Sequence, residues 1–172
     1  MRLVSVAAVA ANGVIGDDGG VPWPHLPADV EQYRERVAGS PVILGRRTFE
    51  SMRAALPGSH QIVVSRSVDA VDEPTVTVVS SVEAALDAAR EIVDDTTGGS
   101  GAPHDDTVYV LGGGTIYESL QPHVDGMALS HVDGVYDGDT RFPEFDEHEW
   151  RVVAETDYDG FTLREWRRAA GD

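Results

Sequence analysis

The sequence predicts a single α/β domain built on a mixed but mostly parallel sheet. Three observations carry that expectation. Short Val- and Ile-rich runs recur along the chain, they are near-continuously apolar rather than strictly alternating, and helical patterns lie between several of them. A strand that is apolar throughout needs cover on both faces, which in a chain of 172 residues points to one sheet between layers of helices.

The elements follow in order. Leu3 to Ala10 is a buried first strand; Arg2 and this run have the outline of a signal peptide, but the apolar stretch is short and breaks at Asn12-Gly13. Pro27 to Val37 reads as a helix, because proline suits the first helical position. Val42 to Leu44 is a strand that turns at Gly45 into a helix over Arg46 to Met52. Gln61 to Ser65 and Val76 to Val79 are strands, and Ser80-Ser81-Val82-Glu83 is a capping-box start for a helix over Val82 to Val93. Asp94 to Asp106 is polar and glycine-rich, and is expected to be a loop. Thr107 to Leu111 is a strand, Gly112-Gly113-Gly114 a turn, and Gly114 to Leu120 a fourth helix. After a strand at Met127 to Val132, Trp150 to Thr156 and Phe161 to Arg168 flank Asp157-Tyr158-Asp159-Gly160, a hairpin signal that adds antiparallel strands. No repeat and no second core interrupts this order, so residues 1–172 form one domain.

Composition excludes several functions. The chain has 13 Lys and Arg against 30 Asp and Glu, a net charge of -17. Such a field opposes phosphate-backbone binding and anionic membranes, so neither nucleic acid nor membrane is an expected partner. There is no cysteine, hence no disulfide, thiolate metal site or Cys nucleophile. The six histidines lack metal-ligand spacing, and His104-Asp105-Asp106 falls in the polar loop, so no metal is expected. Nothing approaches the about 20 apolar residues of a membrane span, which points to a soluble cytoplasmic protein. All 13 cationic residues are Arg, a bias that suggests adaptation to concentrated salt.

Three motifs carry chemistry. Val21-Pro22-Trp23-Pro24-His25-Leu26-Pro27-Ala28-Asp29 sets a carboxylate in the first turn of a helix, behind an aromatic ring. That carboxylate either complements the positive helix end or lies in a dry pocket under Trp23, where it would bind a nitrogen heterocycle. Val42-Ile43-Leu44-Gly45-Arg46-Arg47-Thr48 places two guanidiniums and a hydroxyl at a helix start, where open main-chain amides favour phosphate. Ser65-Arg66 ends the next strand and can add to the same site. Val108 to Tyr117 repeats the strand, glycine turn and helix, without the G-x-G-x-x-G spacing of a dinucleotide fingerprint. There is no G-x-S-x-G elbow, and Ser130-His131 are neighbours on a strand and so face opposite ways.

Taken in order, these segments resemble dihydrofolate reductase. The residues carrying the resemblance are Asn12 to Gly16, Pro22-Trp23 with Leu26 to Asp29, Val42 to Thr48, Leu56-Pro57-Gly58, Gly112 to Gly114 with Tyr117, and Gly138-Asp139-Thr140 with Phe142-Pro143. The resemblance implies a three-layer domain with an eight-stranded mixed sheet, a C-terminal antiparallel hairpin and about four flanking helices. It implies NADPH-dependent reduction of 7,8-dihydrofolate to tetrahydrofolate, feeding one-carbon metabolism and thymidylate synthesis, inhibition by antifolates, and a monomer.

Residue by residue, Asp29 matches the family's active-site acid and Trp23 the ring that orders nearby solvent. Val6, Ala8, Tyr33, Arg34, Met52, Leu56 and Ser130 match the substrate side, with Ser130 where a family Thr bonds the acid. Ala8, Ile15, Gly45, Arg46, Arg47, Thr48, Ser65, Arg66, Leu111, Gly113, Gly114, Thr115, Ile116 and Tyr117 match the NADPH side. The arginines and Ser65 would read the adenosine 2'-phosphate. Ile15 to Trp23 corresponds to a mobile active-site loop, and Gly138-Asp139 to the loop that steadies it.

Two departures stand out. Pro24 and His25 make the spacing between Trp23 and Leu26 one residue longer than in many bacterial members. After Leu56-Pro57-Gly58, Ser59 stands where the family has an Arg that grips the substrate's glutamate tail. Two other readings remain open: a pyrimidine or pterin reductase on the same fold, which would lack the acid at 29, and a nucleotide-binding module without chemistry. The charge reading makes the first testable expectation. At about 1 M salt the screening length falls to about 3 Å, so surface carboxylates stop repelling one another. Lowering KCl towards zero is expected to unfold the chain, followed by circular dichroism; full retention of structure would rule salt adaptation out.

Overall fold

The computed structural model describes residues 1–67, 71–97 and 106–169. In chain order the elements are β1 (Arg2–Ala10), β2 (Val14–Gly16), α1 (Pro27–Val37), β3 (Pro41–Gly45), α2 (Arg46–Ser51), β4 (His60–Val64), β5 (Val76–Val79), α3 (Val82–Thr97), β6 (Thr107–Gly112), α4 (Gly114–Leu120), β7 (Gly126–Val132), β8 (Thr140–Arg141), β9 (Trp150–Tyr158) and β10 (Phe161–Arg168), with one 3-10 turn at Gln121–His123. Eight strands form the main sheet in the order β5-β4-β3-β6-β1-β7-β10-β9, and β2 pairs separately with β8. The first six strands run parallel, whereas β10 is antiparallel to both β7 and β9.

The pleat sorts side chains into two cores. Leu3, Ile43, Val108 and Val110 face α3 and α4, packing on Ala85, Ala89, Ile116 and Leu120. Val4, Val42, Leu44, Tyr109 and Leu111 face the other way, towards Val37 of α1, Phe49 of α2 and Trp23. Both faces of the parallel part are therefore covered, as the unbroken apolar runs require. The hairpin extends beyond this cover: β9 is exposed from Arg151 to Tyr158. An ion pair from Arg36 Nη1 to Glu165 Oε1 at 2.8 Å ties α1 to β10. No helix among the described residues is long and apolar enough to cross a membrane.

The structure revises four expectations. α3 continues a turn past Val93 to Thr97, taking the first residues of the expected loop, because the buried Ala85, Ala89 and Val93 hold its inner face. Residues 98–105 of that loop lie outside the described residues. The α3 cap is Ser81 rather than Ser80, since the Ala84 amide donates to Ser81 Oγ at 3.0 Å. The hairpin turn is tighter than expected, with β9 continuing to Tyr158 and only Asp159-Gly160 between the strands. Tyr158 stacks on Phe161 at 4.6 Å, Thr162 Oγ1 donates to Asp157 Oδ1 at 3.0 Å, and Gly160 takes the turn at φ +89. α2 also ends one residue early, at Ser51.

A buried glutamine anchors the segment between α2 and β4. Gln61 is 2% exposed, donates from Nε2 to the Pro57 carbonyl at 2.6 Å, and accepts at Oε1 from Thr75 Oγ1 at 2.6 Å. Satisfied at both ends, it keeps the Leu56-Pro57-Gly58 turn against the sheet. Gly58 has φ +72, and a Cβ there would sit 2.5 Å from the Ser40 carbonyl oxygen. Gly58→Ala is expected to lower unfolding free energy by about 1–3 kcal/mol, measured by urea denaturation at fixed KCl.

Candidate active site

A cleft of about 1370 Å³ opens at the carboxyl ends of the parallel strands. Its position follows from strand order. The chain passes from β1 to β3 and leaves a gap that β6 later fills, so the connections leaving β1, β3 and β6 diverge around a crevice. β1 contributes Val6 and Ala8, β6 contributes Leu111, and Ser65 follows β4. Ile15 and Gly45 line it too, as do Arg46, Arg47 and Thr48 from α2 and Gly113, Gly114, Thr115, Ile116 and Tyr117 around the start of α4.

At one end stands Asp29. Pro27 occupies the start of α1 and places Asp29 in the first turn, as the sequence predicts. Ala8 of β1 is in register with Ser130 of β7, which brings that hydroxyl beside the helix. Ser130 Oγ donates to Asp29 Oδ1 at 2.5 Å, and Gln32 Nε2 donates to the same oxygen at 3.0 Å. Among the described residues no donor reaches Oδ2, so one carboxylate oxygen is held and the other remains available to a ligand.

The dry pocket expected under Trp23 is not what forms. Asp29 is half-buried at the wall of an open cleft, while Trp23 is buried and packs its ring edge-on against Tyr136, with centroids 5.8 Å apart. Tyr136 is held in turn by Asn12, whose Nδ2 donates to its carbonyl at 2.8 Å. Tyr33 and Met52 line the cleft, Leu56 is half-buried beside them outside the lining, Arg34 is exposed over the Tyr33 ring, and Trp23 and Ser130 lie behind the lining. Tyr117 donates its hydroxyl to the Val6 carbonyl at 2.5 Å, and burial pushes that phenol's pKa up, so it stays protonated.

The other end is cationic. α2 and α4 both start after a glycine, Gly45 and Gly113, without a side-chain cap, so their first amides remain open. The two starts abut: a Cβ on Gly45 would lie 3.2 Å from Ile116, and Gly112, at φ +98, has the Tyr117 ring where its Cβ would be. Arg46 Nε donates to Glu50 Oε1 at 2.7 Å, and Arg53 Nη1 approaches both Glu50 oxygens at 3.3 Å. The Arg46 hydrogen bond, with that from Arg53, holds the Glu50 carboxyl below the usual carboxylate range. The start of α3, Ser80 to Glu83, also faces the cleft, which the sequence did not suggest.

A loop crosses the middle. The Asp18 amide donates to Asp139 Oδ2 at 3.1 Å, the Asp139 amide donates to the Gly16 carbonyl at 3.1 Å, and Thr140 Oγ1 donates to Asp139 Oδ1 at 2.8 Å. The Asp18 amide first, and then Thr140, hold the Asp139 carboxyl below its usual range, so this tie is present at neutral pH and weakens as pH falls through that lowered value. Ser59 lies outside the cleft lining, its amide donating to the Ser40 carbonyl at 2.8 Å and its hydroxyl 3.1 Å from His60 Nδ1.

Among the described residues no group of three His, Asp or Glu is placed to hold a metal; His104 and Asp105 lie outside them. A second cavity, about 520 Å³ between the 3-10 turn and the start of β9, carries several carboxylates. Its arginine, Arg168, is committed to the carbonyls of Val124 and Gln121, each at 2.7 Å.

Gln32 and Glu50 escaped sequence reasoning. Gln32 lies three residues after Asp29, and Glu50 four after Arg46, so helical spacing alone could have found both. Tyr136 had no such signal, being 113 positions from Trp23 in sequence.

Comparison with known proteins agrees with this geometry. The dihydrofolate reductase family profile matches residues 2–163. Dihydrofolate reductase HdrB of Haloferax volcanii is 39% identical over 173 residues, covering 98% of this chain and 84% of that protein. Dihydrofolate reductase 1 of Haloarcula marismortui is 37% identical, covering 98% of this chain and 92% of its own length. A solved dihydrofolate reductase from Enterococcus faecalis, complexed with NADP(H) and RAB-propyl, superposes with a TM-score of 0.79 at 28% identity, over 98% of this chain and 97% of that one. By sequence, fold and cleft alike, the chain belongs to the dihydrofolate reductase family.

Proposed function

We propose that this chain catalyses the NADPH-dependent reduction of 7,8-dihydrofolate to tetrahydrofolate. The observation that carries the reading is one continuous cleft with a half-held carboxylate, Asp29, at one end and three arginines, Arg46, Arg47 and Arg66, at the other. NADPH fits the second end: its phosphates are anionic, and the cleft offers guanidiniums and two uncapped helix starts. When bound, it supplies the hydride for the imine carbon of the pterin.

The remaining work falls to the chain's own groups. Asp29 accepts hydrogen bonds from the pterin amino group and the adjacent ring nitrogen, fixing the ring's orientation. Ser130 and Gln32 hold Oδ1, so the carboxylate cannot rotate away from the ligand. Water brings the proton to the imine nitrogen, which the carboxylate does not touch. Trp23, held edge-on against Tyr136, is the ring assigned to order that water. We read the protein as a cytoplasmic monomer from a salt-adapted organism; the net charge of -17 and the likeness to proteins of Haloferax volcanii and Haloarcula marismortui support the salt adaptation.

At the tail end, Ser59 cannot form the ion pair of an arginine, Arg34 is exposed, and Arg53 is bound to Glu50. Removing the glutamate tail from the substrate is therefore expected to raise KM less here than in an arginine-containing homologue. Equal loss in both proteins would refute this.

The function is tested by following NADPH oxidation with and without dihydrofolate across a range of KCl. Turnover is expected only with dihydrofolate, blocked by an antifolate, and lowered at least about 100-fold at neutral pH by Asp29→Asn. NADPH binding without turnover would instead identify a nucleotide-binding module.

A further inference from the structure

We propose that Glu50 sets the affinity and selectivity of the cleft for NADPH by competing with the cofactor's 2'-phosphate for the guanidinium of Arg46. The proposal rests on the reading above that Arg46 binds that phosphate. Three arginines line the cationic end, and they are not equivalent. Arg46 is paired at 2.7 Å with Glu50, one turn later on the same helix. Among the described residues neither Arg47 nor Arg66 makes an ion pair. The carboxylate thus occupies the guanidinium whose partner is nearest, and the Arg46 hydrogen bond keeps Glu50 ionised throughout the neutral range.

Glu50 also has somewhere to go. Arg53 Nη1 lies 3.3 Å from both of its oxygens, and the Arg53 guanidinium is fixed over the Phe49 ring, 5.6 Å from the centroid. When an incoming phosphate takes Arg46, Glu50 keeps Arg53, so the exchange leaves no carboxylate without a partner. The Arg46–Glu50 pair is solvent-exposed and correspondingly weak, which lets the phosphate win at a small cost in affinity. By the usual strength of exposed pairs, that cost is about two- to fivefold in Kd. NADH has no 2'-phosphate and does not meet the competition.

The test measures Kd for NADPH and NADH by quenching of protein fluorescence, using the full chain at the lowest KCl at which it stays folded and again at about 2 M KCl, where screening is strong. Glu50→Gln is expected to tighten NADPH about two- to fivefold at low salt, leave NADH unchanged, and lose its advantage at high salt. Glu155→Gln breaks an exposed arginine pair on β9, at the far edge of the sheet, and controls for net charge. The proposal is overturned if Glu50→Gln weakens NADPH or leaves it unchanged, if it shifts NADH equally, or if Glu155→Gln has the same effect. Arg46→Gln separates the two layers of the argument. Loss of NADPH-over-NADH preference upholds the phosphate reading, so that a silent Glu50→Gln then defeats the competition alone; an unchanged preference defeats both.

Discussion

The placement of β6 between β1 and β3 is the constraint on which the rest of the structure depends. Val110 is in register with Ser5 on one side and with Ile43 on the other, so a strand later in the chain than both of its neighbours closes the parallel region from within. Had β6 added at an edge, β1 and β3 would be neighbours and their connections would lie side by side. Inserted, it drives those connections apart and brings Gly45 against Gly112 and Gly113. Both small residues are needed there: the first because Ile116 stands 3.2 Å from its missing Cβ, the second because the Tyr117 ring fills the space. Cleft, open helix starts and strand order are one geometric fact.

The cleft also divides the molecule's charge. A chain with 30 acidic and 13 cationic residues brings three of the latter to one end of one crevice. The acidic background does not cancel them, because fields from exposed carboxylates decay over about 10 Å at moderate salt, whereas a ligand in the crevice meets the guanidiniums directly. The carboxylate at the opposite end works by the reverse logic. Asp29 has its charge steadied by two donors, Ser130 and Gln32, rather than by a cation.

Much of this was legible in the sequence. Every parallel strand of the main sheet is visible as an apolar run because both faces of that part are covered, and the antiparallel hairpin is marked instead by its turn at Asp159-Gly160. Pro27 fixes the start of α1, and hence where Asp29 points, by local geometry alone. Boundaries held by tertiary contact were less visible. Nothing in Asp94 to Thr97 favours a helix, and α3 continues there on the strength of its buried Ala and Val face. The state of Trp23 depends on Tyr136, far along the chain, and no local pattern carries that pairing. Leu56, half-buried against the core beside Tyr33 and Met52, is outside the cleft lining for the same reason, since no local pattern tells which apolar neighbours of a site face it.

The exposed strand β9 has a consequence of its own. It leaves a row of main-chain donors and acceptors at the rim of the sheet, with Val152 and Val153 42% and 43% exposed. Such a rim is a template for pairing with another molecule, and Arg151, Glu155 and Asp157 are the charges that discourage it. In brine that repulsion is screened, while apolar association is strengthened by excluded salts. The irregularity between Glu165 and Trp166, which twists the ladder of β9 with β10, then becomes the remaining obstacle to stacking of copies edge to edge. At high ionic strength the steric guard against aggregation therefore carries more of the burden than the charges do.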